Sequence, residues 1–414
     1  MPERSVAEIS YEQMSPTLRA MLVYEPNGTF DVCDSQALLD ELRRTTPIVR
    51  WEHGIGFFGM DDIVAAGRNP ALVSTNPETG SPLGMGSREP LIPLHLDGDV
   101  HRRYRKLLDP LLSPKQVAPL EGDIRKFADE LIDGFIHHGE VELHDRFCVP
   151  LPSTIFLRVF GMPLDDLDFL IEMKDAILDP SGASTFEEKE ELGRMAGDRL
   201  RARLYERLSE RRAETARRDD LIGRFLTFEV DGDRLSDDEI VNIMHLFTIA
   251  GLDTVTSSLS CLFAWFATHP DQRRLVVAEP HRLPTVIEEL MRFESPVPAG
   301  GHRWATEDTE VNGVTVQKGD IVFLCWASAN LDPSTFEHPL EVDIDRAENR
   351  HIAFAAGIHR CLGSHLARLE LRAAINQFHL RIPDYWVTDG DEIRYEFHGV
   401  RQAAHLPLTL APAG

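Results

Sequence analysis

Cys361 has the chemical surroundings best suited to reactivity in this 414-residue chain. It lies in the glycine-bearing segment 354–363, and a long helical pattern that ends at Pro383 begins directly after it. Free N–H groups at a helix N-terminus favour a thiolate, and so does positive charge from His359 and Arg360. The segment predicts an anionic sulfur ligand beside a flat anionic group. For Cys361 taken alone, the alternative is an inert buried cysteine in a loop before a helix.

The whole segment resembles the cysteine-ligand loop of the cytochrome P-450 family, Phe-x-x-Gly-x-(His/Arg)-x-Cys-x-Gly. The matching residues are Phe354, Gly357, His359, Cys361 and Gly363. Ala355 stands where the family often has a second glycine, and alanine is the smallest replacement. The resemblance implies haem b (iron protoporphyrin IX) as the cofactor, Cys361 as the iron ligand and the other four matching residues as haem contacts.

His101 and Arg105 are four residues apart and share one face of a predicted helix. The spacing alone fits a solvated basic surface equally well. The family has a His-x-x-x-Arg pattern in this place, so the resemblance implies that both residues donate to a haem propionate. Arg303 matches the family's strand arginine, which reaches a propionate. Gly98 and Asp99 replace the usual Pro-Pro ahead of the pattern and are expected to loosen the start of the helix.

A long central helix is predicted from Ser236, which forms a capping box with Glu239, to about residue 269. It is apolar on most faces, so it must be buried. Ala250, Gly251, Asp253 and Thr254 match the family's (Ala/Gly)-Gly-x-(Asp/Glu)-Thr. Thr254 can bond back to the Ala250 carbonyl and open the helix locally. The resemblance implies that Asp253 and Thr254 deliver protons to bound dioxygen and that Ala250 and Gly251 contact the haem; a buried helix with a packing glycine is the alternative.

Further matches concern packing and the substrate. Glu289 and Arg292 are three residues apart and resemble the family's buried Glu-x-x-Arg pair, which is assigned to folding. Alignment with the family places the substrate pocket against small or aliphatic residues, namely Leu246, Ile249, Ala250, Ala299, Gly300 and Val400. No charge-specific anchor is visible among them. The predicted substrate is therefore an apolar terpenoid, steroid, fatty acid or aromatic compound.

Other segments are assigned by local pattern. A hairpin is predicted near residues 47–60, a helix at 61–68, a long loop at 73–96 over the substrate pocket and an Asn312-Gly313 hairpin. Residues 187–218, rich in Glu and Arg, are predicted to form a solvated helix pair. By resemblance this region is the lid over the pocket.

Length alone would suggest two or three domains, but no linker, low-complexity tract or repeat marks a boundary. The resemblance implies one mainly helical domain with small β-sheets over residues 1–414, with about the first 20 residues loosely ordered. The expected fold is that of cytochrome P-450, with the haem buried between the central helix and the cysteine-ligand helix. The net charge of −25 argues against nucleic acid as a partner. Five cysteines without close pairs favour a reducing cytoplasm. The N-terminus has no apolar run of membrane length, so a cytoplasmic monomer without a membrane anchor is expected.

The resemblance implies a monooxygenase that inserts one atom of O₂ into an apolar substrate by hydroxylation or oxidative demethylation. A ferredoxin with an NAD(P)H-dependent reductase is the expected electron donor. A predicted basic patch would steer it: Arg102, Arg103, Lys106, Arg360, Arg368 and Arg372. A peroxide-dependent peroxygenase and a non-catalytic haem-thiolate sensor are the alternatives. The intact Asp253-Thr254 pair weighs against the first, and turnover with a ferredoxin system would exclude the second.

Overall fold

The structure is a computed structural model. It describes all residues except 1–5, 15–17, 20–21, 23–34, 79–83, 216–217, 231, 301, 398 and 412–414. The prediction of a loosely ordered N-terminus lies largely outside the described residues, and so does Cys33.

Fourteen α-helices are found in the described residues. In chain order they are α1 Ser35–Thr45, α2 Met60–Ala66, α3 Gly98–Leu108, α4 Pro114–Val117, α5 Glu121–Asp133, α6 Pro150–Phe160, α7 Leu167–Leu178, α8 Phe186–Ala213, α9 Leu221–Phe225, α10 Asp237–Thr268, α11 Pro270–Ala278, α12 Leu283–Glu294, α13 Trp326–Ala329 and α14 Ser364–Arg381. Short 3-10 turns connect several of them. Residues 187–218 were predicted to form a helix pair, and that prediction is wrong: a single helix, α8, covers most of the region.

Short strands build small sheets. The strands are β1 Ala7–Glu8, β2 Ile48–Trp51, β3 Gly54–Phe57, β4 Leu72–Val73, β5 Glu140–Glu142, β6 Glu229–Val230, β7 Asp233–Arg234, β8 Arg303–Ala305, β9 Thr309–Val311, β10 Val314–Val316, β11 Ile321–Leu324, β12 Tyr385–Val387, β13 Arg394–Phe397, β14 Arg401–His405 and β15 Pro407–Leu410. The largest sheet has the order β1-β2-β3-β11-β8-β4, and a second has β12-β15-β5. The predicted hairpins β2–β3 and β9–β10 are confirmed. Asn312 and Gly313 both have positive φ at the second turn, as a tight hairpin requires.

The helix α10 is the centre of the fold. The predicted capping box at Ser236 and Glu239 is present. The helix packs against α6, α7, α8, α12 and α14 and against β14. It meets the length and composition of a membrane span, the sole helix among the described residues to do so, but 78% of its most apolar window is buried. A helix that is apolar on most sides and packed against this many other elements is a core helix.

Candidate active site

The cysteine loop leads directly into α14, as the sequence predicts. Cys361 follows the 3-10 turn Gly357–His359, and α14 begins at Ser364. The Cys361 N–H donates to the Phe354 carbonyl at 2.8 Å. Gly357 has φ +75°, and a β-carbon there would lie 2.7 Å from the Gly67 carbonyl oxygen, so the turn requires glycine. The loop is thereby held in one backbone conformation that presents the sulfur.

Several groups act on the Cys361 thiol. The residue has exposed surface, but its sulfur lies among protein atoms, and this burial raises the pKa of the thiol. A hydrogen bond from the Gly363 N–H and the positive charges of Arg105, Arg368 and Arg360 act in the opposite direction. These are the groups that stabilise a thiolate once a cation is bound to it. No group of three His, Cys, Asp or Glu side chains suited to a metal ion occurs in the described part of the chain.

Ala355 has φ +58°, in the left-handed region. The family's glycine adopts that conformation freely, whereas alanine is strained there. Alanine in place of glycine at this position therefore strains the backbone, although its side chain is small.

His101 and Arg105 lie on one face of α3, as predicted, and Arg303 is buried on β8. The His101 ring lies 4.4 Å from the ring of His359. Both His101 nitrogens are buried and lack a hydrogen-bond partner within the described residues. Burial lowers the pKa of His101 to about 4, and the charges of His359 and Arg105 act in the same direction. A carboxylate placed here would accept a hydrogen bond from the His101 ring N–H, so these residues fit the carboxylates of a haem.

Other contacts of this cluster are made within the protein. His359 Nε2 lies 3.1 Å from Asp97 Oδ1 and 3.1 Å from Ser74 Oγ. Arg105 pairs with Asp109 at 2.8 Å and donates to the Arg360 carbonyl at 2.8 Å. The second bond joins α3 to the cysteine loop. Gly98, where the family has proline, begins α3 with φ +61°.

Ala250 and Thr254 share one face of α10, and Ala250 is the exposed residue in an otherwise buried stretch. The Thr254 hydroxyl donates to the Ala250 carbonyl at 2.9 Å, as predicted. The predicted local opening is not found, because α10 remains α-helical from Asp237 to Thr268. The Thr254 hydroxyl therefore adds a second hydrogen bond to the Ala250 carbonyl, which keeps its hydrogen bond within the helix.

Gly251 has a packing function. A β-carbon there would lie 2.8 Å from the ring of Phe156 on α6. The glycine therefore lets α6 and α10 approach each other. This is the alternative that the sequence left open, and it does not exclude a haem contact by the Gly251 backbone.

Asp253, the acid of the Asp253–Thr254 pair, has a partner that the sequence did not reveal. Lys174 on α7 pairs with Asp253 at 2.9 Å, and both side chains are largely buried. The two residues are 79 positions apart. Neither lies in a motif that relates them, so only the folded chain shows the pair.

The predicted pocket residues come from three elements. Leu246 and Ile249 on α10 and Val400 before β14 are buried, while Ala299 and Gly300 are half-buried. A β-carbon on Gly300 would lie 2.8 Å from the Trp326 ring. Glycine at this position leaves room for the Trp326 indole.

The loop after residue 83 is held in place by contacts with α8. Arg88 pairs with Glu191 at 3.1 Å and with Asp198 at 3.0 Å. A β-carbon on Gly197 would lie 1.7 Å from the Gly86 carbonyl oxygen, so the two backbones are in close contact. From α10, His245 Nε2 contacts the Met85 carbonyl at 2.7 Å. The loop is thus held from two sides.

The predicted pair Glu289–Arg292 is confirmed as a buried ion pair. Arg292 donates two bonds to the carboxylate, at 2.7 and 2.9 Å, and both side chains are 0% exposed. Arg292 also donates to three backbone carbonyls, and Glu289 also accepts from Arg346 and Asn349. A buried ion pair with this many hydrogen-bond partners braces structure.

The predicted basic patch is largely neutralised by carboxylates of the chain. Arg102 pairs with Asp99, Arg103 with Glu239 at 3.7 Å, Arg368 with Glu288 at 2.6 Å and Arg372 with Glu121 at 2.7 Å. The surface therefore carries less net positive charge than its arginine and lysine content suggests.

Comparison with known proteins shows the family. The family model described as Cytochrome P450 matches residues 169–380. The polyketide biosynthesis cytochrome P450 PksS of Bacillus subtilis is 32% identical over 75% of this chain and 76% of its own. The steroid C26-monooxygenase of Mycobacterium tuberculosis is 30% identical over 85% of this chain and 93% of its own. The solved structure of P450BioI, in complex with an acyl carrier protein bearing hexadec-9Z-enoic acid, has a TM-score of 0.83 and 28% identity, with 92% of this chain and 99% of that chain covered.

The chain belongs to the cytochrome P450 family. It is an oxidoreductase of the monooxygenase type, and its relatives are bacterial. The family's cofactor is haem b, whose iron is bound by a cysteine thiolate. The unsatisfied His101 nitrogens and the cationic surroundings of Cys361 fit such a group.

Proposed function

We propose that this P450 hydroxylates or oxidatively demethylates an apolar small molecule in the cytoplasm, with Cys361 as the iron ligand. The reaction consumes substrate, O₂, NADH and a proton and yields oxidised product, water and NAD⁺. The haem supplies the oxygen chemistry, which thiolate ligation favours. His101, Arg105, His359 and Arg303 are assigned to hold its propionates.

The observation that carries the proposal is the arrangement on α10. Exposed Ala250 lies one turn from Thr254, and Asp253 is buried next to it with a lysine partner. Thr254 holds a proton near the open face of the helix, and Asp253, held in place by its pair with Lys174, passes protons toward it. A haem protein that only senses or stores has no need of a buried acid and alcohol side by side.

The substrate class follows from the lining and from the relatives. Leu246, Ile249, Ala299 and Val400 present small or aliphatic side chains. The relatives' names refer to a polyketide, a steroid and a fatty acyl group, all largely apolar. We infer a substrate of this kind that is held by shape and burial of apolar surface.

Spectroscopy and turnover test the proposal together. Cys361→Ser should abolish the red-shifted Soret band of the reduced carbon monoxide complex, while Cys325→Ser, which alters a buried cysteine in another segment, should keep it. A titration with steroids, fatty acids and terpenoids should show water displacement from iron. Oxidation of a binding compound with NADH, a [2Fe–2S] ferredoxin and its reductase would support a monooxygenase. Oxidation with peroxide alone would favour a peroxygenase, and carbon monoxide binding without any oxidation would favour a sensor.

A further inference from the structure

The hairpin β13–β14 turns at a predicted pocket residue, Val400. Phe397 pairs with Arg401 across the hairpin, so only residues 398–400 connect the two strands. Gly399 has φ +82°, and Val400 is buried directly before Arg401. Because the connection is this short, the position of Arg401 fixes the position of Val400.

Arg401 binds the hairpin to a second predicted wall of the pocket, the segment 295–300 that carries Ala299. Its guanidinium pairs with Glu294, the last residue of α12 and the one directly before this segment. Its backbone N–H donates to the Pro296 carbonyl at 2.7 Å. Two contacts, one through the side chain and one through the backbone, therefore join the two walls.

The same arginine also contacts α10, the helix that carries the remaining predicted pocket residues. Arg401 Nη1 lies 3.7 Å from Cys261 Sγ, and the Cys261 thiol donates to the Arg401 carbonyl at 3.4 Å. Two residues further along β14, the Ala403 N–H donates to Ser260 Oγ at 3.1 Å. The three elements that carry predicted pocket residues thus meet at the start of β14.

The Arg401–Glu294 ion pair is buried, with both side chains 5% exposed. The guanidinium lies 4.0 Å from the centre of the Tyr395 ring on β13. Burial alone would lower the pKa of Arg401, but the Glu294 carboxylate raises it, so the arginine is charged. A buried ion pair often stabilises a fold no more than well-packed apolar side chains of similar volume do. Stability is therefore a poor explanation for this pair, whereas the fixed direction of its hydrogen bonds is a property that apolar side chains lack.

We propose that Arg401 and Glu294 are positioning residues that set the distance between two walls of the substrate pocket, the turn at Val400 and the segment 295–300. Through these walls they determine which substrate shapes the pocket accepts. The inference rests on the proposed function, because it assumes that Val400 and Ala299 line the pocket. Since the two charged side chains are buried against each other, they act through these neighbours and not by contact with substrate.

An apolar replacement of the pair tests the proposal. In Arg401→Met/Glu294→Met the volume is largely kept and the directed contact is lost. The probe is 4-phenylimidazole, whose imidazole binds the haem iron and whose phenyl ring extends into the pocket; imidazole alone is the reference that does not reach the walls. We expect the ratio of their two dissociation constants, from spectral titration, to change about tenfold, because one methylene of pocket space has an effect of this size. An unchanged ratio in the folded double variant would overturn the inference.

Arg273→Met is the matched control. Arg273 is 2% exposed, pairs with Asp384 at 3.3 Å, and its guanidinium lies 4.2 Å from the centre of the Tyr385 ring. Its hydrogen bonds within the described residues go to Asp384 and to the carbonyls of Phe266 and Tyr385, none of which lies in either wall. The control should lower stability to urea and leave the ratio unchanged. An equal change of the ratio in Arg273→Met would mean that any loss of a buried arginine alters the pocket, and the inference would be wrong.

The carbon monoxide band after dithionite reduction shows whether a variant is folded and holds haem. If the double variant lacks this band, Glu294→Gln replaces it, because it removes the charge and keeps the shape of the side chain. It should change the ratio in the same assay, and an unchanged ratio there would likewise contradict the proposal. Failure of the proposed function is separate: it would appear as normal binding of both imidazoles without oxidation of any compound, since the ratio requires neither electrons nor turnover.

Discussion

Lys174 Nζ lies 2.9 Å from Asp253 Oδ1, which joins α7 to the middle of the central helix. The exposed fractions of the two side chains are 13% and 8%, and Lys174 also pairs with Asp175 at 2.7 Å. Burial lowers the pKa of Lys174, but the two carboxylates outweigh it and the pKa is raised. The lysine is therefore charged at neutral pH. It ties Asp253, next to Thr254, to α7, which packs against α8.

Removing the lysine should destabilise the protein more than removing both charges. Lys174→Met leaves the Asp253 carboxylate buried without its cation, which costs about 3 kcal/mol. The double variant Lys174→Met/Asp253→Asn should recover most of this loss. Urea unfolding of the two single variants and the double variant measures the coupling. Additive losses would contradict a direct interaction. Arg199→Met, which breaks an exposed pair with Glu172, is the control and should change stability little.

Thr254→Ala should uncouple electron consumption from product formation. Haem and substrate binding should persist, while a larger share of NADH oxidation yields hydrogen peroxide, because the hydroxyl no longer holds a proton in place. Thr248→Ala is a matched control, since the Thr248 hydroxyl, six residues earlier on α10, makes the same bond to the Met244 carbonyl at 2.8 Å. An unchanged ratio of product to NADH in Thr254→Ala would show that protons arrive by another route.

Ala355→Gly should stabilise the protein by about 1 kcal/mol, because it relieves a non-glycine residue with φ +58°. The adjacent Ala356 has φ −127°, so Ala356→Gly should be neutral or destabilising. The midpoint of thermal unfolding of the haem-loaded protein reports both. Equal effects of the two substitutions would mean that the backbone at residue 355 is not strained.

Low pH should weaken the ion pair that joins Glu288 on α12 to Arg368 on α14. Burial alone would raise the pKa of Glu288, but hydrogen bonds from His351 and Arg368 lower it to about 2. A carboxylate with a depressed folded-state pKa stabilises the fold above its unfolded value of about 4.5, and this stability is lost as the pH falls toward 2. The loss is at most about 3 kcal/mol. Glu288→Gln should remove this part of the dependence, and an identical stability profile from pH 5 to 2.5 would refute the assignment.

Gly197→Ala should loosen the contact between α8 and the loop at Gly86. Its β-carbon would meet the Gly86 carbonyl at 1.7 Å, so α8 and the loop must separate. Substrate should then dissociate faster, as followed by stopped-flow decay of the substrate-induced spectral shift. Gly122→Ala on α5 is the control, because no atom lies within 4 Å of the added methyl group. The control should leave the dissociation rate unchanged and stabilise its helix.

The sequence by itself determined the features that depend on neighbouring residues. The capping box at Ser236, the Asn312-Gly313 hairpin and the bond from Thr254 to Ala250 each join groups within seven positions, so residue type and spacing suffice to predict them. The motif around Cys361 likewise identified the family and its cofactor, because all of its residues lie within the short segment 354–363.

The tertiary structure decided which charges meet. Lys174 with Asp253 and Arg368 with Glu288 are 79 and 80 positions apart, and no local pattern relates them. The basic patch shows the same limit, because a sequence displays arginines but not the carboxylates that fold against them. The length of the single helix α8 could not be predicted either. It depends on packing against α7 and α10, which the local density of charged residues does not show. Electrostatic pairing depends on distance through space, and only the folded chain sets that distance.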